Sequence, residues 1–257
     1  MKLVYCYRVK SLTGLLNRQA RTVNFVWNYC NDRQKDALRF SRPWLSGFDL
    51  IRLSTGCSKE LALHSGTIND VCQQYARSRS QSQRPHLRFR GKKSLGWVPL
   101  KGRELKREGD VFRFAGNTVR VFYSRPLPEG KITDGTNFSR DRRGNWYLNI
   151  VIDMPEAPLR SPVRGVGIDL GLKDFAAMSE GSIVNAPRIY RQTETALALA
   201  QRARKGKRIK AIHAKIANRR RNFLHTLSCA IVPEFDYIVI GNVNAVGLAK
   251  TSMAKSV

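Results

Sequence analysis

Gly165-Val166-Gly167-Ile168-Asp169-Leu170-Gly171-Leu172-Lys173 sets one carboxylate inside an apolar run that closes on a glycine turn. Residues 165–170 read as a strand, Gly171-Leu172 as a turn and Lys173 to Ser179 as a returning strand. An unpaired charge is costly to bury. Asp169 therefore reads either as a structural, hydrogen-bonded residue or as a metal ligand. Downstream, residues 182–186 read as a third strand. Residues 193–230 read as one long helix, with Ile209, Ile212, Ile216, Phe223 and Leu227 on one face. Tyr237-Ile238-Val239-Ile240 is a continuous apolar run, as a buried strand requires. Strand hairpin, helix and strand make an α/β plan beginning at Val163.

The stretch before this unit is built differently. Residues 2–9 alternate as a strand. Residues 12–40 read as helix, with Leu16, Ala20, Val23, Trp27 and Cys30 on one face. Ser41 to Gly56 reads as loop, and Lys59 to Ala76 as a second helix with Leu61, Ile68, Cys72 and Tyr75 on one side. Residues 110–154 read as all β. Val111–Phe114 and Val119–Phe122 flank a hairpin turn at Ala115-Gly116-Asn117-Thr118, and Trp146, Leu148, Ile150 and Ile152 alternate. Short strands in this number predict a small antiparallel β-barrel with the helices inserted in it. Met154 to Pro162 reads as a Pro-rich linker.

Charge narrows the partner. Of 257 residues, 46 are Lys or Arg and 19 are Asp or Glu, a formal charge of +27 that points to a polyanion. Residues 1–160 carry 30 basic and 13 acidic side chains, and residues 161–257 carry 16 and 6. Eleven cations fall between Arg77 and Arg107. Ten fall between Arg202 and Arg221, inside an acid-free stretch from Thr195 to Pro233. Like charges repel along a helix unless something external neutralises them. Phe89 and Trp97, set among the cations, suit either stacked bases or strand core. No apolar run reaches the length of a membrane span. The opening MKLVYCYRVK has no secretory apolar stretch, so a cytoplasmic, nucleoid-associated location is expected. The five cysteines form no Cys-x-x-Cys pair and read as buried small apolar residues.

The Asp169 segment resembles the first RuvC motif of TnpB, the transposon-encoded RNA-guided nuclease family related to type V CRISPR effectors. Met1–Tyr7 and Thr22–Asn31 are similar to that family's opening strand and helix, and Arg84–Lys93 to its basic stretch. Ile212–Ser228 (IHAKIANRRRNFLHTLS) is similar to its long RuvC helix, and Tyr237–Gly247 (YIVIGNVNAVG) to its second RuvC motif. The resemblance implies a wedge-like β-barrel domain (1–10 and 84–160), an inserted helical recognition domain (11–83) and an RNase H-like RuvC domain (161–257). The fold class is α+β combined with α/β.

The family carries three acids holding two Mg²⁺ ions. Here Gly241 stands where the second acid, a Glu, is expected. Residues 161–257 end without the zinc ribbon or the third acid, so the RuvC domain is expected to be truncated. Two-ion hydrolysis needs both ions held together, and one carboxylate cannot hold them. The chain is thus expected to be nuclease-dead: Asp169 vestigial, no metal site, no cofactor required, and Mg²⁺ only as a nucleic-acid counterion. Glu234 and Asp236 are expected at the opposite end of the last strand. A guide RNA and target duplex DNA with a short adjacent motif become the partners of a monomeric ribonucleoprotein acting as a transcriptional repressor.

By the same resemblance, Ser65, Thr67, Asn69 and Gln73 are candidates for DNA base edges or simply a solvated helix face. Arg84, Arg88, Phe89, Arg90, Lys92, Lys93, Arg208, Lys215, Arg219, Arg220 and Arg221 are candidates for guide RNA or heteroduplex. The alternatives are an RNA-guided endonuclease of a transposon, weakly or fully active, and an RNA-binding transposon remnant.

Overall fold

The computed structural model describes residues 1–91, 93–156, 163–243 and 247. Lys92 and most of the linker stretch, residues 157–162, lie outside them. The chain divides into two compact units, Met1–Glu156 and Ala157–Val257.

The first unit opens with β1 (Lys2–Arg8) and a 27-residue helix α1 (Thr13–Arg39), which buries Leu16, Ala20, Val23, Trp27 and Cys30 as the periodicity predicts. The segment read as loop contains α2 (Gly47–Leu53). A capping box starts it: the Ser46 side chain accepts from Asp49 N, and the Asp49 carboxylate accepts from Ser46 N. Helix α3 (Ser65–Ser82) begins six residues later than expected and runs six further. His64 caps its first turn by accepting from Gly66 N. Strands β2 (Trp97–Pro99), β3 (Lys106–Glu108), β4 (Val111–Phe114), β5 (Asn117–Arg120), β6 (Lys131–Ile132), β7 (Asn137–Arg140) and β8 (Trp146–Asp153) follow. The β4–β5 hairpin turns on two residues rather than four. Ala115 and Gly116 both have positive φ, as a tight hairpin turn demands.

These strands do not close into the expected barrel. One sheet has the order β1-β8-β7-β2, with β6 beside β8, and the other is β3-β4-β5. A bridge between Val9 and Val121, with Phe122 N donating to Arg8 O at 2.8 Å, joins them along one seam. Closure needs a continuous ring of strand pairing. Most of these strands span only two to four residues, and β2 ends on Pro99, which has no amide proton to donate. The sheets and helices still share one apolar core. Trp27 meets Tyr75 edge-on at 5.2 Å, and Val98 and Leu100 are fully buried with them.

The second unit contains β9 (Gly165–Leu170), β10 (Asp174–Met178), β11 (Ile183–Asn185), α4 (Glu194–Arg202), α5 (Gly206–Ile231) and β12 (Tyr237–Ile240). The sheet order is β11-β10-β9-β12, antiparallel except for the parallel β9–β12 pair. The predicted single long helix is broken. Arg204 sits in the left-handed region, and Lys205 N closes the turn on Ala200 O. Strand β12 is not the buried strand expected. It lies at the sheet edge, and Tyr237, Val239 and Ile240 are exposed. Its apolar run meets a small core of Val166, Ile168, Ala176, Ile231 and Phe235 on one face only.

Cys30 and Cys72 are buried as expected, whereas Cys6 and Cys229 are exposed and Cys57 is intermediate. No helix among the described residues is long and apolar enough to cross a membrane.

Candidate nucleic-acid interface and acidic position

The register of β9 with β12 sets the acidic position. Ile240 pairs with Ile168, and Gly241 N donates to Ile168 O at 2.9 Å, which brings Gly241 alongside Asp169. A Cβ added at Gly241 would lie 3.4 Å from Asp169 Oδ1. Position 241 is therefore where a second carboxylate would join the first, and no side chain stands there. Asp169 is exposed, so water solvates its charge and burial places no demand for a cation beside it. Asp236 lies at the other end of β12, as expected, with its Oδ2 accepting from Val163 N and Arg164 N. Among the described residues, no three His, Cys, Asp or Glu side chains are grouped to hold a metal. The described residues do not bring together the several shared carboxylates that a two-Mg²⁺ centre needs.

The basic arm, residues 84–91, lies along α1. Asparagine side chains fix it by copying the pairing of a neighbouring strand. Asn28 Nδ2 donates to Arg90 O at 2.8 Å, and Asn28 Oδ1 accepts from Arg90 N at 2.7 Å. Asn31 Nδ2 donates to Leu87 O at 2.8 Å, and Asn31 Oδ1 accepts from Leu87 N at 2.9 Å and from Tyr75 Oη at 2.7 Å. Trp27 Nε1 adds a bond to Arg88 O. Sequence reasoning missed Asn28 and Asn31. The signal was a polar residue, Asn31, beside Cys30 on the apolar face of a long helix.

Clasped this way, the arm turns Arg84, Arg88 and Phe89 outward, and Lys93 is exposed beyond it. Lys35 Nζ sits 4.3 Å from the Phe89 ring centroid, so a cation and an aromatic face stand together at the surface. Arg90 behaves differently. Its guanidinium lies over Trp27 at 4.5 Å and over Trp97 at 5.2 Å, and burial pulls its pKa below the ordinary value. It fills the half-buried gap between two indoles.

The α3 candidates separate. Ser65 is exposed, and Asn69 and Gln73 are half-buried. Thr67 is fully buried, its hydroxyl donating to Pro99 O at 2.8 Å, so it offers nothing to a base edge. The helical period that puts Ile68 in the core turns Thr67 inward as well. Gln73 lines a groove of about 540 Å³ with Arg77, Arg90, Trp97 and Lys101. Lys101 is paired there with Asp70.

All five α5 candidates, Arg208, Lys215, Arg219, Arg220 and Arg221, are exposed. Arg208, Lys215 and Arg219 fall at offsets 0, 7 and 11, one stripe of the helix. Arg219 also donates to Gln192 Oε1 at 2.7 Å. Two cationic surfaces result, the arm on the first unit and α5 on the second.

Comparison with known proteins matches these elements to relatives. Residues 149–252 match the family OrfB_IS605, described as "Probable transposase". A Streptomyces pristinaespiralis protein described as "Putative RNA-guided DNA endonuclease" is 34% identical over 142 residues, 51% of this chain and 35% of that one. An Escherichia coli K12 protein described as "Putative RNA-guided DNA endonuclease InsQ" is 27% identical over 122 residues, 42% of this chain and 30% of that one. The matched stretch spans about a third of the length of these curated relatives. The fold is similar to that of a protein chain in a Cas12f1–sgRNA–target DNA complex solved by cryo-EM. The TM-score is 0.54 at 11% identity, covering 96% of this chain and 70% of that one. The stretch matched by that family model, residues 149–252, holds both Asp169 and Gly241.

Proposed function

We propose that this protein binds duplex DNA at sites chosen by a guide RNA, leaves both strands intact, and represses transcription by occupying the site. One observation carries the reading. The position that faces Asp169 is Gly241, whose missing side chain would have begun 3.4 Å from the Asp169 carboxylate. Cationic surfaces suited to a polyanion are present, while the position facing Asp169 carries no second acid. The relatives' descriptions as RNA-guided endonucleases and the RNA and DNA in the Cas12f1 complex support guided binding.

In this reading, base pairing between guide and target strand supplies sequence choice, and the protein contributes backbone contacts. Arg84, Arg88 and Lys93 on the arm and the α5 cations meet phosphates, and Phe89 with Lys35 above it offers a stacking face. Lys92, outside the described residues, belongs to the same proposed set. Losing an acid that positions a catalytic ion removes transition-state stabilisation worth at least about 10³-fold in rate. A complex that binds and does not cut persists on its site and excludes other proteins from it.

The experiment begins by purifying the protein with its bound RNA and sequencing that RNA. The complex is then incubated with matching duplex and Mg²⁺. A stable gel shift with full-length strands is the expected result. Cut strands whose appearance depends on Asp169 would establish the endonuclease alternative instead. Absence of guide-dependent footprinting on DNA would leave only RNA binding.

A further inference from the structure

The seam between α1 and α3 carries successive cross-helix contacts whose two members advance along the chain together. Cys30 meets Cys72, Asn31 accepts from Tyr75, and Gln34 accepts from Arg79. The first is a pair of thiols. The Cys30 thiol donates to Cys72 Sγ at 3.7 Å, and both residues are fully buried on the inward faces of their helices. The turn after α2 adjoins them. Ser54 Oγ lies 3.6 Å from Cys72 Sγ, Cys57 Sγ donates to Ser54 O at 2.8 Å, and Ser54 and Cys57 are half-buried. Cys229 differs: it is exposed on α5, and its Sγ faces a histidine, His225 Nδ1 at 3.4 Å, rather than a thiol.

Disulfide sulfurs stand about 2.05 Å apart, so two already in van der Waals contact need only a short approach. The hydrogen bond also divides their roles. Accepting from Cys30 outweighs burial and holds the Cys72 thiol below its ordinary pKa, while the same bond pushes Cys30 up. Cys72 ionises first, and the thiolate is the nucleophile. The pair also stands where the arm is held. Asn31 follows Cys30 directly and binds Leu87 through both its amide groups. Tyr75, three residues beyond Cys72, donates to that same Asn31.

We infer that Cys30 and Cys72 are a redox modification site, a dithiol that hydrogen peroxide converts into a disulfide fastening α1 to α3. In the first step the Cys72 thiolate attacks one peroxide oxygen. The O–O bond breaks, Cys72 becomes a sulfenic acid, and the departing hydroxide takes up the proton that Cys72 released, forming water. In the second, the Cys30 sulfur attacks the Cys72 sulfur. The S–S bond forms, the S–O bond breaks, and hydroxide leaves with the Cys30 proton as a second water. Two thiols lose two electrons in all, and one peroxide is reduced to two waters. A thiol reductant reverses the link by exchange. Peroxide is little larger than water, which suits a buried pair, and the half-buried turn at Ser54 and Cys57 gives it a way in. The link holds together the two helices that carry the Asn31–Tyr75 clasp, and it closes a long loop of the unfolded chain.

The test treats the reduced full chain with hydrogen peroxide, quenches with catalase, blocks free thiols with iodoacetamide and digests without reductant. Mass spectrometry is expected to find the Cys30 and Cys72 peptides joined, and dithiothreitol to separate them. The oxidised protein is expected to melt about 5–10 °C higher and to be cut more slowly by trypsin within residues 84–91. Cys72→Ala is expected to lose the joined peptides and the rise in melting point. Because a core variant can fail to fold, the triple variant Cys6→Ser, Cys57→Ser, Cys229→Ser provides a second check. It keeps only Cys30 and Cys72 and is expected to oxidise to the same disulfide. A Cys57–Cys72 link, sulfinic acid at Cys72 with no link, or a linked pair with an unchanged melting point would overturn the assignment. None of these readouts uses a guide or DNA, so they stand or fall apart from guided DNA binding.

Discussion

Gly241 and Asp169 are a contact of one atom with an absent one, and that contact can be rebuilt. The 3.4 Å separation from the would-be Cβ is ordinary van der Waals distance, so a Cβ fits there without displacing Asp169. Gly241→Glu is expected to create a divalent-cation site with Asp169. Mn²⁺ titration should show binding on the order of tenfold tighter than in the unaltered protein, lost again when Asp169→Ala is added. Gly102 illustrates the opposite case. A Cβ there would collide with the carbonyl of Ile132 and lie 2.6 Å from the Thr133 carbonyl carbon. Backbone cannot swing aside as a side-chain tip can, so Gly102→Ala is expected to cost about 1–3 kcal/mol, measured from the denaturant midpoint. At Asp141, burial raises the carboxyl pKa, but donors from Asn145 and Arg143 outweigh it and hold the group below its ordinary value. A depressed acid stabilises the fold above the unfolded pKa of about 4 and loses that contribution as pH falls through the folded value. Asp141→Asn is expected to shrink the stability difference between pH 7 and pH 3.

At the scale of elements, the arm and α1 act together. Asn31→Ala would strand the amide and carbonyl of Leu87 and the hydroxyl of Tyr75 in a buried site, at a cost of about 2–4 kcal/mol. Faster proteolysis between residues 84 and 91 should accompany it, measurable by limited trypsin digestion. Elements with strong local signals were legible in the sequence: α1 from its apolar stripe, β9 and β10 around the Gly171 turn, and the β4–β5 hairpin. Helix α2 was hidden because Pro43 and Gly47 outweighed the Ser46–Asp49 capping pair on reading. The α4–α5 break was hidden because Arg204, which takes a left-handed conformation, looks like one more helical cation. The exposure of β12 depends on what packs above it, and an apolar run carries no record of that. The same is true of the open barrel seam, since sheet closure depends on pairing between distant edges. In the candidate interface, residue type alone could not separate outward Arg88 from Arg90, which is stacked between indoles. Nor could it separate exposed Ser65 from Thr67, which donates inward.

Across the whole molecule, a charge of +27 makes nucleic-acid affinity depend on counterion release. If about eight cations on the arm and α5 meet phosphates, the logarithm of affinity should fall with the logarithm of salt at a slope near −7. Arg88→Ala should lower that slope by about one, checked by filter binding over a salt series. The clasp of Asn28 and Asn31 responds to salt quite differently. It is made of neutral amides, which ionic strength hardly screens. A brine that strips the polyanion from the surface should leave the arm seated as before, so the emptied protein keeps the shape of its grip. Recapture then needs an encounter but no rebuilding of the hand that closes.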